Sequence, residues 1–339
     1  MVNEKVSNRL VGIDLVKVIA CFLVIVSHTS AIGFPVRFSS VMYYTGVMAI
    51  PLFFMTNGYL LLGKNGKDRW YSYKKIGRIL LLTFIINVML CILYVIIKHP
   101  FWNPISGVGI NLFLQRGIFW HLWFLGALII IYLFFPVLNF LYLHKQKYFF
   151  ILSACLIFAQ CFVDILNIYS SIKYNDIFQS HILQTYRLES HFSYFVLGGV
   201  IKLLKPKLIK YTKLRNVLLL YVLAIVYQFF IIKNVYHLSY FEFFYNNILI
   251  ICLCVIFFLY ISNIQSTKWE KEISFLASLI MVIYIIHPLV MMAYSKFINI
   301  VALDYLNIDI IRIIAIYIAS ILLSWIVLKI PYAKEIFKI

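Results

Sequence analysis

Three ionisable side chains interrupt the first apolar run of the chain: Asp14, Lys17 and His28. On an α-helix Lys17 and His28 lie roughly 1100° apart, which returns them to within about 20° of one face, and Asp14 sits three residues before Lys17. The rest of the run is mostly Val, Ile, Leu, Ala, Cys and Phe. An ionisable group inside a bilayer costs about 2.5–3.5 kcal/mol on insertion scales, so a stripe of three must face protein or a watery cavity. Imidazole, with an ordinary pKa of about 6.5, suits a general base or a nucleophile. Asp14 is too far along the axis from His28, about 16 Å for Lys17 to His28 alone, to orient that ring, so it is assigned to Lys17. A plainer alternative is that Lys17 reaches the interface with Asp14 as its partner. That alternative accounts for His28 less well.

Other residues carry weaker signals of their own. Lys75 and Arg78, with Lys74 beside them, put cations three apart at the mouth of the third apolar run, where they could clamp a phosphate or diphosphate or merely set topology. The fourth run opens Phe119-Trp120-His121-Leu122-Trp123, either an aromatic belt with one polar member or a surface on which a sugar stacks. Arg187, Glu189 and His191 open the sixth run as ordinary interfacial groups or as the mouth of a cavity. In the ninth, His287 precedes Pro288, which frees a backbone carbonyl that His287 could satisfy. Pro51, Asn57 and Gly58 mark the second run as kinked near a cavity or packed tightly against a neighbour.

The elements that must position these groups are membrane helices. The chain is 64% hydrophobic and only 12% charged, against about 25% charged in soluble domains. Ten apolar runs are long enough to span: 11–31, 41–62, 76–98, 118–142, 149–167, 187–204, 216–233, 244–262, 275–295 and 309–330. The expected fold is therefore an all-α polytopic membrane bundle of about ten helices, forming one domain over 1–339. Of the 30 Lys and Arg, 21 fall in the connectors on the side of the termini and six on the other, with Lys17, Arg187 and Arg312 inside the spans. That bias puts both termini in the cytoplasm and His28 toward the outer half of its span. The net charge of +18 is thus a topology signal rather than a nucleic-acid groove. The first run, holding Asp14 and Lys17, does not read as a cleaved leader. The six cysteines lack metal-ligand spacing with histidine, and no metal is expected. The connector 99–115 is too apolar for a free loop and is expected to lie in the interface or dip back into the protein.

Taken together, Lys17 and His28 with ten residues between them, the run Pro51-Leu52-Phe53-Phe54-Met55 with Gly58-Tyr59, Lys75 with Arg78, His121-Leu122-Trp123-Phe124 with Tyr132 and Pro136, and Tyr284 with His287-Pro288 resemble the acyltransferase-3 family of bacterial integral-membrane acyltransferases. Within it the chain looks most like the branch of the enterobacterial common antigen O-acetyltransferase. Lys17 and Lys75 stand where many members have Arg. The resemblance covers nearly the whole chain. It implies a multi-pass protein of the bacterial cytoplasmic membrane that transfers an acetyl group from acetyl-CoA to a hydroxyl of an extracytoplasmic or lipid-linked glycan. It implies catalytic roles for His28, Lys17 and Asp14, donor binding by Lys74, Lys75 and Arg78, and acceptor binding by His121, Trp123, Glu189 and His287. The rival expectation is a transporter of a small metabolite or amino acid, whose midplane site would use helices broken at Pro51, Gly58 and Pro288.

Overall fold

The computed structural model describes residues 10–30, 38–66, 69–98, 100–237, 240–301 and 309–337. Lys5, Arg9, Arg37, Lys67, His99 and Lys338, which entered the charge and connector arguments, lie outside them. No strand occurs among the described residues. In chain order the helices are α1 (Val11–Thr29), α2 (Phe38–Thr45), α3 (Ala49–Leu61), α4 (Arg69–Ile96), α5 (Pro104–Phe113), α6 (Trp123–His144), α7 (Gln146–Tyr174), α8 (Leu188–Leu208), α9 (Leu214–Ile231), α10 (Ile248–Ser262), α11 (Glu270–Val301), α12 (Asp309–Val327) and α13 (Ala333–Ile336). Helices are the expected solution where no water can satisfy the backbone.

Among the described residues, eight segments are long and apolar enough to cross a membrane: α1, α2–α3 together, α4, α6, α7, α9, α11 and α12. The sixth and eighth of the ten expected spans, α8 and α10, do not qualify. The reason differs for each. The last turns of α8 carry Lys202, Lys205 and Lys207, and α10 has 15 residues, about 22 Å, short of a hydrocarbon core of about 30 Å. Both pack against neighbouring helices, α8 against α3, α7 and α6, and α10 against α9 and α1. By contrast α4, α7, α9 and α12 turn large apolar side chains outward, among them Met89, Phe158, Val226 and Leu322.

At the centre stands α1, in contact with α11, α3, α10, α12 and α2. The most extensive packing in the bundle, α3 on α8, runs through glycine. A Cβ on Gly58 would lie 1.7 Å from the Phe195 carbonyl oxygen, and one on Gly198 would lie 2.0 Å from that of Met55. Small residues let two backbones approach this closely. Gly58 is therefore a packing residue and not a break. Pro51 is no break within α3 either. It occupies the first turn, where its missing N–H costs nothing, after a 3-10 turn over Gly46–Met48 that separates α2 from α3. The helix α11 continues through Pro288.

The apolar connector before α6 folds back as α5. Asn103 caps it, its side chain accepting from the Ile105 amide at 2.9 Å with Pro104 in the first turn. Trp102 Nε1 donates to Asn87 Oδ1 at 2.8 Å, and Thr185 Oγ1 donates to the Leu112 carbonyl at 3.0 Å, which ties the connector to α4 and to the segment before α8.

Candidate active site

The single stripe on α1 opens into different cavities at its two ends. At its start Lys17 Nζ donates to Asp14 Oδ1 at 2.9 Å, as the three-residue spacing predicts. Lys17 also lines a cavity of about 670 Å3 with Lys75, Lys334, Asn57, Tyr132 and Met281 among others. An adjoining cavity of about 480 Å3 presents Asp14, Lys17, Lys64 and Lys202. At the other end of the stripe His28 lines a cavity of about 550 Å3 with His121, Trp120, Trp123, Gln184, Arg187 and Glu242. The cavities of Lys17 and of His28 share two lining residues, Phe124 and Tyr284. Those two rings meet edge to face with centroids 5.9 Å apart and form the partition between them.

Three imidazoles gather beside this partition. The His28 ring stacks on His287 with centroids 5.5 Å apart and takes the Trp120 ring edge-on at 5.4 Å. His287 in turn meets His121 at 5.3 Å. The 3-10 turn Trp120–Leu122 that precedes α6 aims His121 at the cavity. The Tyr284 hydroxyl donates to the His121 carbonyl, pinning that turn to α11. His287 Nδ1 lies 3.2 Å from the Ile283 carbonyl, one turn back. A carbonyl can only accept, so the Nδ1 proton points there and Nε2 carries the lone pair. Both ring nitrogens of His121 and Nε2 of His287 are buried without a hydrogen-bond partner among the described residues. Buried polar atoms left unsatisfied in a native fold call for an explanation, and a bound substrate hydroxyl or carbonyl supplies one.

Gly46 lets the turn before α3 lie against Ser27, the neighbour of His28; a Cβ there would fall 2.6 Å from that of Ser27. Beyond His28, the Thr29 carbonyl accepts from Arg312 on α12, whose Nη2 also holds Asp309 at 2.5 Å. At the far side of the cavity Arg187 pairs with Glu242 at 3.4 Å, and Gln184 Nε2 donates to the same carboxylate. Burial pushes the Glu242 carboxyl above its ordinary value, and the adjacent Arg187 guanidinium pulls it back down.

The residues singled out from the sequence divide as follows. His28, His121 and Trp123 share one cavity; Trp123 is buried and stacks on His191 at 5.7 Å. His287 lies behind His28 and His121, outside the cavity lining. Glu189 is also outside it, accepting from Gln179 Nε2 at 2.7 Å. Asp14 and Lys17, expected to act with His28, line the opposite cavities, since eleven residues of helix carry Lys17 about 16 Å from His28. Of the three cations expected to bind the donor, Lys75 lines a cavity and lies over the Tyr71 ring at 5.8 Å. Lys74 and Arg78 are exposed and are not part of that lining.

Sequence reasoning assigned no role to Glu242, Gln184, Arg312, Lys64, Lys202 or Lys334. Arg312 carried a usable signal, being a charge within an apolar run. Among the described residues no cluster of His, Cys, Asp and Glu is grouped to hold a metal ion.

The model of the acyltransferase domain matches residues 10–329, from the first turn before α1 to the end of α12 and just beyond. No curated protein and no solved structure matches the chain. An apolar helical bundle that gathers three imidazoles beside a cavity, matched by that domain over nearly its full length, is a membrane acyltransferase: the chain belongs to the acyltransferase-3 family.

Proposed function

We propose that the protein moves an acetyl group from acetyl-CoA to a hydroxyl of an extracytoplasmic or lipid-linked glycan, in the manner of the enterobacterial common antigen O-acetyltransferase type, from a bacterial cytoplasmic membrane. The observation that carries this reading is the pair of cavities meeting at Phe124 and Tyr284, cationic on one side and imidazole-lined on the other. The positive-inside bias puts the Lys17 cavity on the cytosolic side. There Lys17, Lys75 and Lys334 offer charge to the phosphates of the donor, and Lys64 and Lys202 extend it. The thioester is then presented at the partition, and the acceptor enters the His28 cavity from the other side.

His28 takes the proton of the acceptor hydroxyl as its oxygen attacks the thioester carbonyl carbon. The carbon–sulfur bond breaks, and the same proton passes to the departing thiolate, so that ester and free CoA are the products. His121, with both ring nitrogens unsatisfied, is placed to hold the acceptor hydroxyl or the carbonyl oxygen as charge develops on it. His287 stacks behind His28 and limits its rotation.

The transporter alternative rested on helices broken at Pro51, Gly58 and Pro288. None of the three interrupts its helix. Mass spectrometry of surface glycans from cells with and without the protein tests the proposal. An acetyl increment that depends on the protein, and that falls by about two to four orders of magnitude in rate with His28→Ala while the protein stays in the membrane, is the expected outcome. Full acetylation by His28→Ala would remove the base, and no protein-dependent acetyl increment would remove the reaction.

A further inference from the structure

At the end of the His28 cavity away from the partition, the guanidinium of Arg187 is incompletely used. The residue is only 4% exposed, yet it lines the cavity. Its Nε donates to the Ile182 carbonyl at 3.2 Å and its Nη2 to the Gln179 carbonyl at 3.1 Å and to Glu242 at 3.4 Å. Nη1 is buried and has no partner among the described residues. Three of the five N–H donors are thus used and the two on Nη1 are left dry, so a ligand oxygen is the natural occupant.

The charge of the corner decides what that ligand is. Arg187 is countered by Glu242, and Gln184 is bonded to the same carboxylate. A ligand therefore meets a donor and an acceptor side by side with little net charge. Adjacent sugar hydroxyls match this, since one can accept from Nη1 while the next donates to the carboxylate. An anionic ligand would reach Arg187 only by facing Glu242. Trp120, 38% exposed, lines the same cavity and offers aromatic surface to the apolar side of a sugar ring, and about 550 Å3 lies within the range of small-ligand sites.

The corner is held in place before any ligand arrives. Gln179 is fixed by Asn167 at 2.7 Å and Glu189 at 2.7 Å, the Gln184 amide donates to Gln115 Oε1 at 2.6 Å, and Phe243 lies 5.1 Å from the guanidinium.

We infer that Arg187 and Glu242 form the acceptor subsite and that it is built for an uncharged sugar, gripped through neighbouring hydroxyl groups. This rests on the acyl-transfer reading for its biological sense, but it can be measured without acetyl-CoA. The purified protein in nanodiscs is titrated with lactose, maltotriose and diacetylchitobiose as neutral probes and with trigalacturonate as the anionic one, following tryptophan fluorescence. A saturable change with a neutral probe and none with trigalacturonate is expected. Arg187→Gln should weaken the neutral probe about tenfold or more. Glu242→Gln, which keeps shape and removes the negative charge, should let trigalacturonate bind. Absence of any neutral-probe binding, equal binding of trigalacturonate by the native protein, or an unchanged preference in Glu242→Gln would each overturn the assignment. Sugar binding without acetyl transfer would instead refute the acyl-transfer reading and leave the subsite standing.

Discussion

An imidazole at membrane depth is useful only if its position is held while its nitrogens stay open. Ring contacts do the holding for His28: His287 on one face, Trp120 perpendicular to it. The backbone beneath it is held from outside the helix. The last carbonyls of a helix have no partner within it and carry partial negative charge. Arg312 satisfies one of them, at Thr29, directly after His28. Arg312→Ala should therefore loosen the end of α1 and displace the ring. A displacement of about 1 Å costs on the order of 10²-fold in rate. Initial rates at varied acetyl-CoA should show kcat falling by about that factor with KM for the donor unchanged, because Lys17 and Lys75 lie in the other cavity. Arg312→Lys should recover part of the loss. A rise in donor KM with kcat intact would show that Arg312 acts elsewhere.

At the scale of elements, the placement of the residues on the Arg187 side of the His28 cavity depends on how closely α3 meets α8. The residue before α8 is Arg187, and its first turn carries His191, against which Trp123 stacks. A methyl group on Gly58 would run into the backbone of Phe195, which has no side-chain freedom with which to yield. Gly58→Ala should cost about 1–3 kcal/mol by overpacking and lower the midpoint of thermal unfolding in detergent. The control is Gly77→Ala on α4. Nothing lies within 4 Å of the added Cβ there, so the better helix former should leave the midpoint unchanged or raise it, by up to about 1 kcal/mol. Equal destabilisation by both substitutions would argue that the α3–α8 contact is not special.

For the molecule as a whole, two cavities meet at one thin partition, and on the proposed reading the acyl group passes there. Tyr284 is pinned to the His121 carbonyl, and Phe124 is wedged against Phe54 at 4.9 Å and Phe53 at 5.8 Å. This aromatic set separates the Lys17 cavity from the His28 cavity, where the proposed mechanism presents the thioester. Phe124→Ala should open it. The expected consequences are release of free CoA from acetyl-CoA without acceptor, as water reaches the thioester, and a relative gain for butyryl-CoA, as a longer acyl chain finds room. Thiol titration on the purified protein measures both. An unchanged ratio of butyryl to acetyl turnover would mean that the partition does not bound the acyl group. Truncation of a buried Phe also costs about 3–5 kcal/mol, so the measurement belongs below the lowered unfolding midpoint.

Hydropathy and charge by themselves determined that this is a helical membrane protein, because a backbone in lipid has few alternatives. Helical periodicity determined that Asp14, Lys17 and His28 share a stripe and that Asp14 pairs with Lys17, since both are local consequences of 3.6 residues per turn. The resemblance of its motifs located His28, His121, Trp123 and Tyr284 as members of one family pattern. Local rules say which face of a helix is polar, but not which helix it meets. Only tertiary packing decided that the stripe on α1 serves two cavities, that Pro51 and Gly58 leave α3 unbroken, and that Lys75 rather than Lys74 or Arg78 lines the cationic side. Packing alone also brought Arg187, Gln184 and Glu242 together from segments flanking different helices, where each looks like an ordinary interfacial residue. Such contacts depend on close approach of distant backbones through Gly46, Gly58 and Gly198, and no periodicity along the chain encodes that distance.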